Sequence, residues 1–231
     1  MNINIKKLTG LTMAALISIS SLTGCTSQDK QSVNDCATTF LAIVASDSEE
    51  DINKYATSEV AAGDFVQLFD AEYLSGKFIS DTENIELTEE SKNKLDEFCG
   101  LFSDMIQDYS VSDVEITKGE TTTATCTATV KTSFAVDVIS SDKVADEIEK
   151  AKNSYATDHA EEIQTLSDED AAAANNKVYN DMLMLILQIY EDEIANSQEM
   201  TYAMVLTLEK NTETDSWIVT NVESYDDSNG N

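Results

Sequence analysis

The chain has 231 residues and a formal net charge of −30, from 44 acidic side chains against 14 basic ones, with no proline and four cysteines. Such an acidic surface repels nucleic acid and anionic lipid headgroups, which argues against a nucleic-acid-binding protein. All 14 basic residues are lysines and no G-x-G pair occurs, so the sequence lacks both bidentate guanidinium groups and a glycine-rich phosphate loop, and a nucleotide enzyme is disfavoured.

The first predicted element is an N-terminal secretion signal. Two lysines precede an apolar run of about 15 residues, which is too short to anchor a helix across a bilayer. The run ends in LTGC, residues 22–25, which resembles a bacterial lipobox; an ordinary signal peptide with a chance cysteine is the alternative. In a lipobox the Cys25 thiol receives a diacylglycerol and residues 1–24 are removed. We therefore predict lipid attachment at Cys25 and a location on the outer face of the cell membrane. Loss of the two leader lysines changes the net charge from −30 to −32.

A helix is predicted soon after the anchor. Residues 25–31 are expected to form a short lipidated tether of about 20 Å, and residues 32–231 a single domain. From Val33 to Val44 the apolar residues recur with the i, i+3, i+4 and i+7 spacing of one helical face. Residues 51–58 and 62–74 are predicted to form shorter helices.

A second clear helix is predicted from about Glu89 to Asp108. Thr88 is placed to cap its N terminus, because a threonine hydroxyl can accept a hydrogen bond from a free N–H of the first turn. The apolar residues along one side of this helix are Leu95, Phe98, Cys99, Phe102, Met105 and Ile106.

The sequence period then changes from helical to alternating. Residues 121–138 have apolar side chains at the even positions from Ala124 onward and mostly threonine or polar side chains at the odd positions. This alternation predicts a long strand with one face buried. Residues 111–118 are predicted to pair with it through a turn at Gly119.

A second hairpin is predicted near the C terminus. Residues 200–210 and 216–224 alternate in the same way, and the polar residues 211–215 form the turn between them. The segment between the hairpins, about 140–197, is predicted to be a helical insertion. Within it, residues 180–194 are apolar nearly all round at first, which predicts a helix buried on two sides or an oligomer contact.

The second hairpin contains the pattern L-E-K-x-x-x-x-x-x-W-I-V, residues 208–219, which resembles the closing hairpin of nuclear-transport-factor-like, cystatin-like cone domains. Such domains are frequent in lipoproteins of Gram-positive bacteria, including families of unknown function. The resemblance implies a bent sheet around a long helix, with or without a pocket between them. The predicted fold class is α+β, with N-terminal helices packed on a curved antiparallel sheet of about four strands and a helical insertion between two hairpins.

Three aromatic residues are the candidates for lining a concave ligand-binding face. Tyr202 lies on the inward side of its strand, and a buried tyrosine hydroxyl normally needs a polar partner. Trp217 opens the next strand, so the hairpin is expected to place it near Leu208. Phe134 is predicted to face inward on the long strand. Ordinary core packing is the alternative for all three.

The remaining cysteines are predicted to point into the interior. Cys36 and Cys99 lie on the apolar faces of helices, and Cys126 lies on the inward side of a strand. A disulfide is permitted outside the cell, but three thiols cannot all pair internally. Buried free thiols are the alternative. If a bridge forms, Cys36–Cys99 is favoured, because facing helices adjust their spacing more easily than a central strand does.

The sequence predicts no catalytic residue. His159 is the only histidine, and its position between Tyr155 and Ile163 favours a packing or surface role. A cone-fold isomerase would use a carboxylate in an apolar pocket, where burial raises its pKa. The inward strand positions carry no aspartate or glutamate, and Asp137 falls on the solvent face of the predicted strand. Loops and helices could still supply an acid.

No metal site or cofactor is predicted either. A single histidine cannot build a histidine-rich metal site. The acidic clusters at 47–53, 167–170 and 225–231 do not match the spacing of a calcium-binding loop. Clusters of this kind arise by density alone in a chain with 44 carboxylates.

Three functions of different classes remain open. The first is a non-catalytic binding or interaction module, attached to the membrane through Cys25 and facing a protein or cell-wall partner. The second is a carrier of a small apolar molecule, if the cone is hollow. The third is an unrecognised enzyme. A cavity with a few polar groups would favour the carrier, and a filled core the interaction module.

Overall fold

The computed structural model describes residues 27–46, 48–80 and 85–224. Cys25 and the predicted leader lie outside these residues. The described chain divides into two compact units. The first, here called the sheet unit, contains the described residues up to 69 together with 103–133 and 200–224. The second, here called the helical unit, contains the described residues of 70–102 together with 134–199. Each unit is described by itself.

The sheet unit is built on four antiparallel strands in the order β1-β2-β3-β4. The strands are β1 (Ile106–Thr117), β2 (Thr123–Thr132), β3 (Met200–Lys210) and β4 (Trp217–Ser224). Together with the helices that precede and interrupt them, they make the α+β fold that the sequence predicts. Both predicted hairpins are present, because a polar turn separates two alternating segments in each of them.

The inward side chains of the two central strands form one side of the sheet unit's core. Cys126 of β2 pairs with Leu206 of β3, so the inward side chains of the two strands lie in register. The outward positions of β2 are mostly threonines, which tolerate contact with water while keeping β propensity. The buried residues of the two strands are Ala124, Cys126, Ala128, Val130, Thr132, Met204, Leu206 and Leu208.

Helix α1 (Ser27–Val44) packs on this face of the sheet. Its apolar face is the one predicted from the i, i+3, i+4 spacing, and Phe40 at its centre is fully buried. The helix begins at Ser27, so residues 27–31 of the predicted 25–31 tether are helical, and residues 25 and 26 lie outside the described residues. The polar residues that suggested a flexible segment instead form the solvent side of the first turns. The buried residues of α1 are Val33, Cys36, Ala37, Phe40, Leu41 and Val44.

The two helices predicted after α1 are broken into shorter pieces. A 3-10 helix (Ile52–Lys54), α2 (Ser58–Ala61) and α3 (Asp64–Gln67) replace the predicted helices at 51–58 and 62–74. The chain breaks between them because Ala56 forms a parallel bridge with Val219 at the sheet edge. The N–H of Val219 donates to the carbonyl of Tyr55 at 2.8 Å, which extends the backbone pairing beyond β4.

The helical unit contains α4 (Ala71–Ser80), α5 (Glu89–Ser103), α6 (Asp142–Asp158), α7 (Ala160–Glu169) and α8 (Ala171–Asn196). An aromatic cluster fills part of its core. Phe98 contacts Phe78, with ring centroids 5.8 Å apart, and stacks on Tyr190 at 5.6 Å. Phe102 contacts Phe134 edge to face at 5.4 Å. Aromatic pairs at such distances stabilise a core beyond their burial alone.

The start of α5 is as predicted, whereas its end is not. The N–H of Ser91 donates to the hydroxyl of Thr88 at 3.1 Å, which confirms Thr88 as the N-cap. The helix ends at Ser103 rather than near Asp108, because Ile106 and Asp108 pair with β2. Met105 is buried, but outside the helix. Tertiary pairing of these residues therefore overrides their helical spacing.

Strand β2 is shorter than the predicted strand at 121–138. It ends at Thr132, and the next residue, Ser133, donates its N–H to the carbonyl of Met105 at 2.8 Å. Phe134 and Asp137 therefore lie beyond the strand. Their alternating pattern continues in the sequence, but β3 begins at Met200, opposite Thr132, so no partner strand is available after that residue.

Helix α8 buries one face rather than two. Leu183, Leu187 and Tyr190 are buried, whereas Leu185 is 38% exposed. Asn180, a buried polar residue on this helix, accepts the N–H of Thr88 at 2.8 Å and donates to the carbonyl of Glu86 at 2.9 Å. The amide side chain of Asn176 also accepts the N–H of Glu86, at 3.2 Å, so two asparagines of this helix hold the segment before α5. An oligomer contact through α8 stays a prediction.

Candidate functional site

Lys210 connects three elements at one end of the sheet unit. Its ammonium lies 2.8 Å from the carboxylate of Asp215 and 3.4 Å from that of Asp29. It also lies 5.9 Å above the ring of Trp217. Asp29 belongs to the first turn of α1, and Asp215 belongs to the turn between β3 and β4. We call Asp29, Lys210, Asp215 and Trp217 the Lys210 cluster.

The β3–β4 turn explains why these groups meet. Lys210 ends β3 and is paired with Trp217, which begins β4. Within the turn, the side chain of Asn211 accepts the N–H groups of Glu213 at 2.9 Å and Thr214 at 3.2 Å. This Asx-type arrangement closes the turn locally. Asp215 adopts a positive φ of 59°, which aspartate tolerates better than most residues, and its carboxylate lies against Lys210.

The cluster holds one cation and two carboxylates, a net charge of −1. The hydrogen bond to Asp215 is the largest cause of the raised pKa of Lys210. Desolvation opposes it, and the negative charge of Asp215 and the contact with Asp29 add to the rise. The lysine is therefore charged at every physiological pH. One cation between two carboxylates and an aromatic face holds the start of α1 against the hairpin turn.

The Cys36 thiol adds a second contact between α1 and β4. It donates to the carbonyl of Trp217 at 3.1 Å. Burial, and then the neighbouring Cys126, raise the pKa of Cys36 to about 12. The thiol is therefore protonated and unreactive at neutral pH. The indole N–H of Trp217 is buried and has no hydrogen-bond partner among the described residues.

All three predicted interior cysteines are buried and carry free thiols in the structure. Burial raises the pKa of Cys99 to about 12 and that of Cys126 to about 11. Cys36 and Cys126 belong to the sheet unit, and Cys99 belongs to the helical unit. The structure thus contains the free-thiol alternative rather than the Cys36–Cys99 bridge.

The three aromatic residues predicted to line a ligand-binding face are placed separately. Trp217 is opposite Lys210 at the end of β3, as expected from the hairpin, and is 3% exposed. Tyr202 pairs with Val130 near the beginning of β3, eight residues earlier and therefore about 27 Å away along the strand. Phe134 belongs to the helical unit and contacts Phe102 there. The strand geometry thus does not bring Tyr202 and Trp217 into one site.

The helical unit contains a network of polar groups around the only histidine. The hydroxyl of Tyr155 donates to Asp181 at 2.6 Å, and Lys177 lies 2.8 Å from the same carboxylate. Lys177 also lies 3.4 Å from Glu162, which in turn lies 3.0 Å from Nδ1 of His159. The rings of Tyr155 and His159 stack at 4.4 Å. We call these five residues the His159 network.

The position of His159 follows from the helix boundary. It caps the C terminus of α6 and directly precedes α7, so its ring can stack back on Tyr155 while Nδ1 faces Glu162 of the next helix. Its side chain is 39% exposed. The sequence predicted a packing or surface role for this residue, and the stacking agrees with that. The partners Lys177 and Asp181 were missed, because only the packing of α6 and α7 on α8 brings them close.

The pKa values of Tyr155 and Asp181 are shifted in opposite directions. Burial raises the pKa of Tyr155 to about 12, together with the hydrogen bond and charge of Asp181. Burial alone would raise the pKa of Asp181, but hydrogen bonds from Lys177 and Tyr155 hold the pKa below its usual value. At neutral pH the phenol is neutral and the carboxylate is charged. Each group already has a partner, so the network resembles a cross-link between helices more than a catalytic base awaiting a substrate.

Two surface depressions are open to solvent. One runs along α7 and is lined by Glu161, Glu162, Thr165, Leu166 and Glu169. The other lies between α1 and β1, where Asn34 and Asp113 are among the lining residues. Neither is an enclosed apolar cavity of the kind that surrounds small-molecule ligands.

Neither a metal-binding cluster nor a membrane-spanning helix occurs in the described part of the chain. Residues 27–46, 48–80 and 85–224 contain no group of three histidine, cysteine, aspartate or glutamate side chains placed to hold a metal ion. The acidic cluster at 225–231 lies outside the described residues. Across the same ranges, no helix combines the length and the apolar character needed to cross a bilayer.

Comparison with known proteins gives one structural similarity. No family model matches the chain, and no curated protein matches it. A crystal structure of a candidate lipoprotein from Bacillus subtilis is similar over 83% of this chain and 53% of that chain, with 15% sequence identity and a TM-score of 0.41. This chain thus spans about half the length of that protein. A similarity of this size does not assign a family or a function.

Proposed function

We propose that the protein is a lipid-anchored extracytoplasmic lipoprotein that serves as a non-catalytic binding or protein-interaction module. The observation that carries the anchor is the LTGC sequence ending at Cys25, directly after a short apolar run that follows two lysines. The acyl chains would supply the membrane affinity, because a domain with a net charge near −30 cannot gain it from anionic headgroups.

Filled cores support an interaction module over a carrier. In the sheet unit, α1 places Phe40 and Leu41 on the inward side of the sheet, and both are at most 1% exposed. In the helical unit, the aromatic rings around Phe98 contact one another at 5.5–5.8 Å. Partner binding would then use exterior surfaces rather than an internal pocket. The packing of α1 on the sheet also supports a cone-type domain of the nuclear-transport-factor-like, cystatin-like kind.

The anchor is tested by replacing Cys25. Wild-type protein should partition into the detergent phase and carry the mass of attached acyl chains, whereas Cys25→Ala should be unlipidated and remain in the aqueous phase. Ser27→Ala is a matched control two residues away that leaves the lipobox intact. A Cys25→Ala protein that partitions like the wild type would exclude the lipobox interpretation.

The interaction module is tested on the anchored protein. Cross-linking on intact cells followed by purification should recover a protein or cell-wall fragment with the wild type. The same fragment should be lost when charges on the exposed helical surface, such as Glu161 and Glu169, are changed to lysine. If binding is unaffected by surface changes but a small apolar molecule co-purifies with the folded protein, the carrier is the better interpretation.

The carrier alternative can be tested by tryptophan fluorescence. Trp217 is the only tryptophan, and its buried indole should emit at short wavelength. A saturable emission change on adding an apolar ligand to the folded protein would support a pocket beside Trp217. No change with any ligand would exclude it. An enzyme is the third alternative, and no described group favours a particular reaction.

A further inference from the structure

The N-terminal end of α1 and both hairpin turns meet at one end of the sheet unit. Asp29, in the first turn of α1, contacts the ammonium of Lys210. The backbone N–H of Lys210 also donates to the carbonyl of Thr122 at 2.9 Å, which places the β1–β2 turn beside the β3–β4 turn. We call this surface the Lys210 end; it consists of residues 27–30, 118–122 and 211–216.

The anchor lies very close to this end in the sequence. Helix α1 begins at Ser27, two residues after Cys25. Two trans peptide units span at most about 7 Å between Cα atoms. A diacylglycerol on Cys25 must place its chains in the bilayer, so the first turn of α1 cannot move far from the headgroups. The tether is thus too short to let the sheet unit turn over freely.

We propose that the Lys210 end is the surface of the sheet unit that faces the bilayer, in contact with the phospholipid headgroup layer. This inference rests on the proposed lipid anchor at Cys25. The contact between Lys210 and Asp29 holds the hairpin against the start of α1, and the contact with Asp215 ties the turn to the same lysine, so the turn is fixed near the membrane together with the helix. The strands then lead away from the membrane.

The polar composition of the Lys210 end is suited to contact with lipid headgroups and not to insertion among the acyl chains. Its turns expose lysine, threonine, serine, glutamate and aspartate side chains, which hydrogen-bond well in a wet headgroup layer. Trp217, the aromatic residue of the Lys210 cluster, is buried beneath Lys210 and cannot enter the lipid. Affinity therefore comes from the acyl chains, and the protein surface only sets the orientation.

This orientation decides which surface of the sheet unit a partner can reach. Thr201, at the beginning of β3, lies nine residues before Lys210 and therefore about 30 Å along the strand from the Lys210 end. We infer that the hairpin turns are shielded by the membrane and that a partner approaches the sheet unit from the side of Thr201.

Two single-cysteine labels test the orientation. Glu213→Cys marks the exposed β3–β4 turn, and Thr201→Cys marks the exposed opposite end of β3. The lipidated full chain would carry an environment-sensitive fluorophore at either site, in phosphatidylcholine vesicles with and without a nitroxide on the headgroup. The parent protein controls for labelling of Cys36, Cys99 and Cys126, which are buried and have raised pKa values.

The label at position 213 should be quenched several-fold more strongly than the label at position 201. Equal quenching at both positions, or stronger quenching at 201, would overturn the orientation. Vesicle flotation and intact mass, measured on the same samples, separate this outcome from loss of the anchor. A protein that floats with its acyl mass but shows equal quenching disproves only the orientation. A protein that carries no acyl mass and does not float disproves the proposed anchoring and, with it, the orientation.

Discussion

Single lysines form many of the charged contacts in this molecule, because cations are scarce beside 44 acidic side chains. Lys210 contacts Asp29 and Asp215, and Lys177 contacts Glu162 and Asp181. Each of these lysines joins residues that are distant in the sequence or on different helices. Partly exposed ion pairs contribute little individually, but a cation shared by two carboxylates loses its side-chain freedom only once.

Tyr155→Phe should change the stability of the helical unit at alkaline pH. The folded phenol has a pKa of about 12, above its ordinary value of 10.0. A phenol with a raised pKa favours folding below the ordinary value, and this contribution is lost as the pH rises from about 10 to about 12. Thermal unfolding followed by circular dichroism at helical wavelengths should show that loss in the wild type and a smaller one in Tyr155→Phe.

At neutral pH the same variant should be less stable by about 1 kcal/mol, because a hydrogen bond to a charged carboxylate disappears. Tyr55→Phe, in the sheet unit, is the control for removing a phenol elsewhere. An unchanged alkaline profile in Tyr155→Phe would contradict the role of the Tyr155–Asp181 hydrogen bond.

Acid should weaken the His159 network by a separate route. A hydrogen bond from His159 lowers the pKa of Glu162, as does the charge of Lys177, and the pKa of Asp181 is also below its usual value. A carboxyl with a lowered pKa contributes stability above its ordinary pKa, and the contribution is lost as the pH falls through the lowered value. We expect a fall in helical-unit stability below about pH 4.5 that is smaller in Glu162→Gln. An identical acid profile in that variant would count against the network.

Thiol counting checks the state of the interior cysteines. Denatured, unreduced Cys25→Ala protein should react at three thiols, because Cys36, Cys99 and Cys126 are all free in the structure. The folded protein should react slowly at every one of them, since burial disfavours the thiolate. One reactive thiol after denaturation would instead indicate a single bridge, for which Cys36–Cys99 was the favoured pair.

At the scale of elements, the helices and strands that the sequence predicts well are those with a long, regular apolar period. The predicted boundaries of β3 agree with the observed strand, because polar residues end the alternation at 211. The buried face of α1 was likewise predicted residue by residue. The ends of α5 and β2 were missed, because both depend on whether a partner strand is opposite them, which no local pattern records.

Removing one side chain from the α1 face tests how strongly the helix holds the sheet. Phe40 is fully buried and faces Phe65 at 6.3 Å. Phe40→Ala should reduce the free energy of unfolding by about 3–5 kcal/mol, through lost burial and the cavity left behind. Trp217 lies in the same unit, so its emission measures this unit directly.

Ser32→Ala, on the exposed side of α1, is the matched control and should change stability little. If both variants unfold at the same denaturant concentration as the wild type, α1 does not contribute to the core as described.

At the scale of the whole molecule, a net charge of −30 repels the protein surface from anionic membranes, whereas the proposed lipid anchor on Cys25 would hold it there. Unlipidated Cys25→Ala protein should therefore fail to bind vesicles containing anionic phospholipid. Binding should be weakest at low salt, where repulsion between like charges is strongest. Flotation with neutral and anionic vesicles measures this. Binding that increases at low salt would mean that a local basic surface outweighs the net charge.

The sequence by itself determined the features that depend on local chemistry. The acidic character, the α1 face, the Thr88 cap and both hairpins can be predicted because each depends on composition, neighbouring residues or a short period. The lipobox rests on a local pattern of the same kind and stays a prediction. The predicted aromatic site was not assembled, because Tyr202 and Trp217 lie on the right strands but at opposite ends of them.

Only the tertiary structure decided which distant residues meet. The contact between Asp29 and Lys210 joins residues 181 positions apart, and the contact between Tyr155 and Asp181 requires two helices to pack together. No spacing rule predicts such pairs, because chain folding rather than sequence distance brings them together. The sequence therefore does not predict that the residues of the Lys210 end lie together.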